Sequence, residues 1–532
     1  MKIKTILTAV VLMASVGNYL FAQQPVLAFD FEPSSAVQIK KSTPPAEAGM
    51  LYDIQQPTFV KGVDGYALDL SSDAVLRAAM KIENGTVKEY SRADSYSFQI
   101  WVKTKKNARM GTAIAGNLNV EEPEKGGWLI DTHENGSWSL TLSDGKSVFE
   151  YKPTAERQSI NDGKWHQILF SLDNSKQEVW IYLDGRNVAI YNIAGLRTMG
   201  NENPLIIGSE LKKWNNFGQW NAFNGYLDAL KIWNRPVSAG EVSELYSTLM
   251  PDAEQEIPEA VDQLKILVWN IWHGGHRFGE NVGVQRVIDI IKSSNADIVG
   301  LIETYGSGEE IADSLGYYFY LISTNLSIMS RYPITETIKA FKPFNFGGAK
   351  LNLGNGREMA FFDTWLHYLP DYTKHIVEGS MTSEELVADE GKTRHSEIKH
   401  IIKEIKPYLK NADNVPVVVL GDFNSGSHLD WIEETKGQHL DYVIEWPESK
   451  EMINAGFGDS YREMNINPMK DPGFTWSPQA ANSSNGYGVR DRIDYIYYIG
   501  NQLEPTYSKV IDYHPVMFPS DHAAVVTTFR LK

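Results

Sequence analysis

The pattern of apolar residues changes character at an acidic segment near the middle of the chain, and this change sets the number of folding units. Residues 251–263 carry five acidic residues and two prolines and contain no aromatic side chain. Such a composition cannot bury a core and is typical of a linker. Because 532 residues exceed what one hydrophobic core accommodates, we predict two domains, over residues 25–250 and 264–532, joined by the linker 251–263.

Before the linker, short runs alternate between apolar and polar residues, which is the pattern of half-buried strands. Examples are Ser97–Val102, Trp138–Leu142 and Val179–Leu183, the last followed by the hairpin signal Asp184-Gly185. Helical spacing is nearly absent until Ala239–Leu249. The N-terminal half is therefore predicted to be an all-β jelly-roll sandwich.

Four motifs of this half resemble those of laminin-G-like and concanavalin-like jelly rolls: Asp162-Gly163-Lys164-Trp165-His166, Asp184-Gly185, Phe223-Asn224-Gly225-Tyr226-Leu227-Asp228 and Ile232-Trp233-Asn234-Arg235. The resemblance implies a fold and leaves the role open among carbohydrate binding, spacing and docking. A structural Ca²⁺ is common in such domains, although the sequence does not single out its ligands. Trp214 and Trp220 are either platforms for a sugar or, more simply, packing residues.

The chain begins with the features of an export signal. Lys2 and Lys4 precede an apolar run from Ile6 to Val16, and Phe21-Ala22-Gln23 offers a small-residue cleavage point. The run is too short to span a bilayer, and no later stretch reaches roughly 18 uncharged apolar residues. We therefore predict a signal peptide over residues 1–22, a secreted or periplasmic location, and no membrane insertion. The alternative is that the segment remains as an uncleaved anchor. The chain has no cysteine, so neither disulfides nor thiolate chemistry are available.

After the linker, strand and helix patterns alternate, which is typical of an α/β domain. Ile266–Trp269, Asp297–Ile302 and Val417–Leu420 read as buried strands. Helical stripes lie between them: the first is Val284, Val287, Ile288 and Ile291, and the second is Ile398, Ile401, Ile402 and Ile405, which ends near Pro407. The C-terminal half is therefore predicted to be α/β.

Polar residues cluster where these strands end. Asn270 closes the first strand and Glu303 the second, Asp422-Phe423-Asn424 follows the Val417 strand, Asp494 lies in Arg492-Ile493-Asp494-Tyr495-Ile496, and Asp521-His522 opens the last strand. A lone strand-end aspartate is usually a turn or cap residue, but active sites of layered α/β folds form where strands end. With the Leu326–Ile334 segment, this half resembles the endonuclease/exonuclease/phosphatase (DNase I-like) superfamily over essentially all of residues 264–532. The resemblance implies a four-layer α/β sandwich.

The same resemblance implies roles for the clustered residues. Glu303 is the expected principal ligand of Mg²⁺ (or Mn²⁺), with Asn270 and Asp521 beside it, since hard cations prefer oxygen ligands. Asp422 is expected to position or deprotonate the attacking water, and Asn424 to hydrogen-bond that water or the phosphate. His522 is expected to contact the phosphate, and Asp494 to hold the ring of His522 in place. His367 is expected to assist the leaving group.

Two features depart from the family pattern. His273 and His276 flank a Gly-Gly pair after Asn270, and we interpret this loop as a site for a substrate group or a second metal, or as a solvated loop. The aromatic residues Tyr368 and Trp476 are candidates for one wall of a substrate pocket, together with Phe474 and Tyr487, although core packing explains part of this set equally well. Arg331 is assigned a structural role.

These observations favour an exported, Mg²⁺-dependent phosphoesterase that acts on a small or glycan-linked phosphodiester or phosphomonoester. The formal charge of −17 disfavours nucleic acid without excluding it. The first alternative is an extracellular nuclease with a basic groove around Lys342, Lys350, Arg357 and Arg394. The second alternative, a catalytically silent glycan-binding protein, is disfavoured because all seven candidate residues from Asn270 to His522 are present.

Overall fold

The computed structural model describes residues 24–29, 31, 38–40, 48–52, 58–71, 79–82, 95–106, 108–196, 203–211, 222–253, 262–476 and 489–532. The predicted signal peptide, most of the predicted linker, and Trp214, Trp220 and Tyr487 lie outside these residues. Within them, no helix is long and apolar enough to cross a bilayer.

The N-terminal half forms two facing antiparallel sheets and is a jelly-roll sandwich, as predicted. One face consists of β14-β13-β12-β7-β16-β5-β4 with β1 beside β16, and the other of β11-β10-β9-β8-β15-β6-β3-β2. The strands are β1 Leu27–Phe29, β2 Gln38–Lys40, β3 Ala48–Tyr52, β4 Thr58–Lys61, β5 Tyr66–Asp69, β6 Ala79–Ile82, β7 Ser95–Thr104, β8 Ala113–Gly116, β9 Gly127–Thr132, β10 Trp138–Ser143, β11 Val148–Tyr151, β12 His166–Asp173, β13 Glu178–Leu183, β14 Arg186–Asn192, β15 Leu205–Ile207 and β16 Gly225–Trp233. Among the described residues, the domain also contains helices α1 (Ala155–Gln158) and α2 (Ala239–Leu249) and a 3-10 turn (Pro123–Lys125).

The predicted hairpin after β13 is present. Asp184 and Gly185 both adopt positive φ, 52° and 78°, which is the backbone that a two-residue hairpin turn requires and that Asp-Gly adopts readily. Inside the sandwich, aromatic rings pack edge to face, with Phe170 5.2 Å from Trp128 and 5.7 Å from Tyr96 between ring centroids. The alternation in the sequence therefore marks the side chains that fill this core.

The C-terminal half is a four-layer sandwich of the DNase I-like type. Its two sheets are β27-β28-β17-β18-β20-β19 and β21-β22-β23-β24-β26-β25. The strands are β17 Gln263–Asn270, β18 Ile298–Ile302, β19 Tyr318–Leu321, β20 Leu326–Ser330, β21 Ile334–Ile338, β22 Phe346–Gly354, β23 Arg357–Trp365, β24 Val417–Asp422, β25 Gly458–Asp459, β26 Asp494–Ile499, β27 Leu503–Ile511 and β28 Ala524–Leu531. The helices are α3 Glu280–Ser294, α4 Gly308–Leu315, α5 Tyr372–Glu378, α6 Ser383–Glu390, α7 Arg394–Leu409, α8 Pro447–Asn454 and α9 Ser460–Met464, with 3-10 turns at His273–Phe278 and Glu433–Gln438.

The buried strand β24 shows how the layers arise from the sequence. Val418 and Leu420 point between the two sheets, whereas Val417 and Val419 pack against the apolar stripe of α7. The stripe of α3 covers the outer face of the other sheet in the same way. Because both faces of each central strand are covered, its residues are apolar without alternation. Helix α7 ends at Leu409, so Pro407 lies in its last turn.

The two sheets approach most closely at Gly300 of β18. A Cβ atom there would lie 2.3 Å from Leu420 Cδ1 and 3.2 Å from the carboxyl carbon of Asp363. Asp363 is fully buried between the sheets. Burial raises the pKa of Asp363 well above its usual value, and the main-chain N–H of Thr364 lowers it by less.

The jelly roll and the four-layer sandwich share one continuous sheet. Strand β14 pairs in parallel with β19, with Ile190 opposite Tyr320 and Tyr191 opposite Leu321, so the long sheet has 14 strands. Beside this pairing, the buried carboxylate of Asp313 accepts from Gln158 Nε2 at 2.7 Å and from the Thr154 N–H at 2.9 Å. The two halves are therefore packed against each other through buried polar contacts.

The burial of Asp363 generates a pH prediction. Its native pKa lies above the unfolded value of about 3.9, so the native state binds the proton more tightly and the free energy of unfolding falls as pH rises above that value. Asp363→Asn removes this pH-dependent contribution to the free energy of unfolding. The stability of the variant relative to the native chain should therefore rise from pH 5 to pH 8. Urea denaturation at both pH values measures this. The exposed Asp441→Asn is the control, and equal pH slopes for all three proteins would contradict the prediction.

The interface generates a second prediction. Asp313→Ala leaves Gln158 and Thr154 without their shared acceptor and should lower the free energy of unfolding by about 1–3 kcal/mol. In calorimetry, both halves should still unfold in a single transition, with a lower midpoint temperature. Ser314→Ala is the matched control, because its contact with Glu156 across the same interface is exposed and should be nearly neutral. Two separate transitions in the native chain would count against the shared sheet.

Candidate active site

The ends of four strands bring the predicted polar residues to one edge of the sandwich. Asn270 is the last residue of β17, and Glu303 follows β18. Asp422 ends β24, directly opposite Asp494, which begins β26. The segment before β28 is fixed to β17 by two bonds, from Trp269 Nε1 to the His522 carbonyl at 2.8 Å and from Ser520 Oγ to the Asn270 carbonyl at 2.6 Å. Strand pairing thus assembles side chains that are far apart in the chain.

These side chains form one chain, linked by hydrogen bonds and by one ion pair. Asn270 Nδ2 lies 3.4 Å from Glu303 Oε1 and 3.1 Å from Asp422 Oδ2. His522 Nε2 lies 3.8 Å from Asp422 Oδ2, and His522 Nδ1 is 2.9 Å from Asp494 Oδ2. All but Glu303 are at least 96% buried. The pair His522–Asp494 has the geometry in which a carboxylate fixes the orientation of an imidazole.

Burial and charge shift the pKa values of this group in opposite directions. Burial lowers the pKa of His522, but the neighbouring carboxylates of Asp494 and Asp422 outweigh it and raise the pKa to about 10. Burial raises the pKa of Asp422, with a further rise from Asp494 and a partial offset by His522. The two carboxylates therefore favour the imidazolium form of His522.

The donor set fits a hard divalent cation. Asp521 is 4% exposed and its Oδ1 has no hydrogen-bond partner. Burial raises the pKa of Asp521 to about 6, and repulsion from Glu303 adds to the rise. A cation near Glu303, Asn270 and Asp521 would remove this repulsion and supply the partner. A second grouping, Asp422, Asp494 and His522, has ligand atoms within 4.8 Å of one another, but Nδ1 of His522 is already bonded to Asp494.

The Gly-Gly loop acts on Glu303 through its main chain. The His273 N–H donates to Glu303 Oε2 at 2.8 Å, the Gly274 N–H to the Glu303 carbonyl at 2.7 Å, and the Trp272 N–H to Asn270 Oδ1 at 3.0 Å. Residues 272–275 all adopt positive φ, which directs successive N–H groups to one side. Glu303 itself has φ 58°, and such strained residues cluster at functional sites.

The histidine side chains of this loop lie outside the acidic group. His273 is exposed, with Nε2 3.2 Å from Arg277 and its ring 5.7 Å from Tyr305. His276 Nδ1 lies 3.0 Å from the carbonyl of Glu280. Among the described residues, the potential metal cluster contains neither histidine. The sequence pattern Gly-Gly marked the loop, but the groups that contact the site are backbone N–H groups that no side-chain motif reveals.

Asn424 and His367 lie on neighbouring segments. Asn424 Nδ2 donates to the Leu366 carbonyl at 2.9 Å, and the Asn424 N–H donates to Asp422 Oδ1 at 2.9 Å. His367 is exposed, its N–H donates to Glu397, and its Nδ1 lies 3.0 Å from the Leu369 carbonyl. The structure therefore uses the amide of Asn424 to hold the segment that carries His367.

Aromatic rings lie on both sides of these residues. Trp476 packs 4.9 Å from the ring of His522, while Phe474 lies 4.9 Å from the guanidinium of Arg490. On the other side, Phe344, Trp365, His367 and Tyr368 form a continuous set of ring contacts, with centroids 5.5–5.9 Å apart. We call this set the aromatic ledge. Phe344 is 43% and Tyr368 54% exposed, so the ledge offers open ring faces rather than core.

The predicted basic groove is wrong at Arg394. This side chain is fully buried and paired with Glu390, because it lies at the start of α7 under the loop that carries His367. Lys350 is bound to Glu336 at 3.1 Å. Arg331 donates to Asp297 at 2.8 Å, which fits its expected structural role.

Sequence reasoning missed a buried ion network beneath β26. Arg492 bonds Asp430 at 2.7 Å and Asp459 at 2.8 Å, and Arg462 also bonds Asp430 at 2.8 Å. Arg492 adjoins the motif that carries Asp494, and this proximity was the available signal. The network fixes the start of β26 and thereby the position of Asp494.

Comparisons with known proteins agree with this fold. Residues 267–522 match the model of the Endonuclease/Exonuclease/phosphatase family, and residues 78–243 match that of the Concanavalin A-like lectin/glucanases superfamily. An uncharacterized protein of Caenorhabditis elegans is 30% identical over 289 residues, which are 50% of this chain and 91% of that protein. The chain belongs to the Endonuclease/Exonuclease/phosphatase family through its C-terminal half, which is a hydrolase domain of the phosphoric-ester type.

Further comparisons give more distant similarities. A rat sushi, von Willebrand factor type A, EGF and pentraxin domain-containing protein is 26% identical over 171 residues, 32% of this chain and 4% of that protein. Two crystal structures are also similar. That of TDP2 from C. elegans has 18% identity and a TM-score of 0.37, and the match covers 55% of this chain and 81% of that chain. That of an AP endonuclease from Archaeoglobus fulgidus has 16% identity and a TM-score of 0.35, and the match covers 50% of this chain and 98% of that chain.

The geometry around Glu303 generates a metal-binding prediction. Glu303→Gln removes one negative charge from the Glu303–Asn270–Asp521 group, so Mn²⁺ affinity should fall by more than about tenfold. Titration of Mn²⁺ followed by electron paramagnetic resonance measures this directly, without an activity assay. Glu310→Gln, on nearby α4, is the control. Unchanged affinity in Glu303→Gln would place the cation elsewhere.

Proposed function

We propose that the protein is an exported, divalent-metal-dependent phosphoesterase acting on a small or glycan-linked phosphodiester or phosphomonoester. The observation that carries the proposal is the continuous chain Glu303–Asn270–Asp422–His522–Asp494, in which each side chain contacts the next. Carboxylate, amide and imidazole groups at one edge are the set that hydrolysis of a phosphoester requires.

Each side chain has a defined task in this proposal. Bound Mg²⁺ or Mn²⁺ would offset the charge that grows on the phosphoryl oxygens. Asp422, whose Oδ2 also accepts from Asn270, orients the attacking water and takes its proton. His522 donates Nε2–H to a phosphoryl oxygen, and its raised pKa keeps that proton in place at neutral pH. Asp494 keeps the ring of His522 in this orientation.

The leaving group is assigned to the side of His367. Nδ1 of His367 is engaged by Leu369, so Nε2 is the nitrogen that hydrogen-bonds the leaving oxygen. The aromatic ledge next to it, Tyr368 included, and Trp476 beside His522 supply ring faces for a sugar or another flat group. His273 and His276 lie outside the acidic group around Glu303. His273, together with Arg277, is proposed to contact the outer edge of the bound substrate.

The accessory features support an extracellular role. The predicted signal peptide over residues 1–22 and the absence of cysteine fit a secreted or periplasmic protein. The jelly roll is proposed to bind carbohydrate, with a structural Ca²⁺ as a further proposal. A nuclease is less well supported, because Arg394 is buried and Lys350 is paired with glutamate, which leaves less free positive charge for a polyanion.

Side-by-side assays test this function. With Mg²⁺, bis-p-nitrophenyl phosphate or p-nitrophenyl phosphate should be hydrolysed in preference to plasmid DNA and RNA. His522→Gln and Asp422→Asn should each lower kcat by about 10²–10⁴-fold, whereas His400→Gln, an exposed histidine on α7, should leave kcat unchanged.

Two outcomes would count against the proposal. A strong, salt-sensitive preference for plasmid DNA or RNA would favour the nuclease. Turnover that is equal in the native chain, His522→Gln and Asp422→Asn would mean that the activity does not arise at this site.

A further inference from the structure

A buried cluster of two carboxyl groups and one guanidinium lies behind the active-site loops. Glu390 ends α6, Arg394 begins α7 and Glu448 lies in α8, and each is at most 1% exposed. Arg394 Nε donates to Glu390 Oε2 at 2.6 Å, and a second guanidinium nitrogen donates to the other oxygen of Glu390. The pairing is bidentate, which fixes the plane of the guanidinium group. We call Glu390, Arg394 and Glu448 the carboxyl–guanidinium cluster.

One side of the cluster holds the loop that carries His367. Arg394 Nη1 donates to the His367 carbonyl at 2.9 Å, and Arg394 Nη2 donates to the Pro370 carbonyl at 2.9 Å. The planar guanidinium thus spans both ends of the turn formed by residues 367–370. A lysine ammonium could not reach these two carbonyls and Glu390 together, because its three N–H donors radiate from one nitrogen.

The other side of the cluster holds the loop that carries Asn424. Glu448 Oε2 accepts from Ser425 Oγ at 2.9 Å, and Ser425 is the residue after Asn424. Burial raises the pKa of Glu448 well above its usual value, and repulsion by Glu390 adds to the rise. Glu448 therefore lies beside Glu390, the partner of Arg394, and ties Ser425 to the cluster.

Stability alone does not account for such a cluster. Apolar side chains of similar volume usually stabilise a core at least as well as a buried ion pair does, because ions are costly to desolvate. Apolar side chains cannot, however, hold two main-chain carbonyls and a hydroxyl at fixed positions. All three groups held here belong to the loops that carry His367 and Asn424, which also touch each other directly through Asn424 and Leu366.

We propose that Glu390, Arg394 and Glu448 are positioning residues that fix the separation of His367 and Asn424 on the substrate side of the active site. The inference rests on the proposed function, in which His367 handles the leaving group, and on the expectation that Asn424 hydrogen-bonds the water or the phosphate. A misplacement of about 1 Å can cost on the order of a hundredfold in rate. The cluster therefore acts on kcat without contacting substrate.

Kinetics of the full chain on bis-p-nitrophenyl phosphate provide the first test. Arg394→Lys and Glu448→Leu should lower kcat by roughly tenfold to a hundredfold, with much smaller changes in KM. Glu448→Gln keeps a partner for Ser425 and a donor for Glu390, so it should restore most of kcat. Ile401→Val, a buried substitution on the same helix α7, is the matched control that removes one buried methyl group and should leave kcat unchanged.

Hydrogen exchange measured by mass spectrometry provides the second test and needs no activity. Arg394→Lys and Glu448→Leu should speed exchange in peptides covering residues 366–372 and 422–426, whereas Ile401→Val and Glu448→Gln should not. The native chain could fail to hydrolyse phosphoesters while exchange in both loops is still faster in Arg394→Lys and Glu448→Leu. In that case the proposed function fails and the coupling of the loops stands. Unchanged exchange in both loops, or an equal loss of kcat in Ile401→Val, would overturn the proposal.

Discussion

The pairing of β24 with β26 is the constraint on which the rest of the site depends. It places Asp422 directly opposite Asp494, and His522 fits between their carboxylates because Trp269 and Ser520 hold the last segment on β17. A register shift of one residue would turn one of the two aspartates to the opposite face of the sheet. The ion network of Arg492 with Asp430 and Asp459 holds the start of β26 and therefore supports this register from below.

The sequence predicted those parts of the site that depend on strands, and it did so for a physical reason. Buried strands are uninterrupted apolar runs, so the residue that ends each run is visible, as with Asn270 and Asp422. Loops give no such signal. His273 acts through its N–H on Glu303, and any residue type carries that group. Arg394 reads as a surface charge in the sequence, and its burial depends on contacts with the carbonyls of His367 and Pro370, which no local pattern shows.

The linker composition predicts two domains but gives no indication of how they meet. Strand β14 of the jelly roll covers the edge strand β19 of the four-layer sandwich, and an uncovered edge strand is a site for unwanted pairing with other chains. Buried polar partners such as Asp313 and Gln158 belong to different domains. Such long-range pairs cannot be inferred from periodicity, because each partner looks like an ordinary polar surface residue within its own segment.

The shared sheet also links the jelly roll to Glu303, at the end of the active site that is proposed to hold the metal. Asn192 of β14 donates to the Ile322 carbonyl at the end of β19, and the turn that follows contains Asn325. Asn325 Oδ1 accepts from the Glu303 N–H at 3.1 Å, and its carbonyl accepts from the Thr304 N–H. The strained backbone of Glu303 is therefore held from two sides, by this turn and by the Gly-Gly loop. Since strain persists only where the surroundings over-determine it, the jelly roll helps to fix the carboxylate that the proposed chemistry needs, whatever its own ligand is.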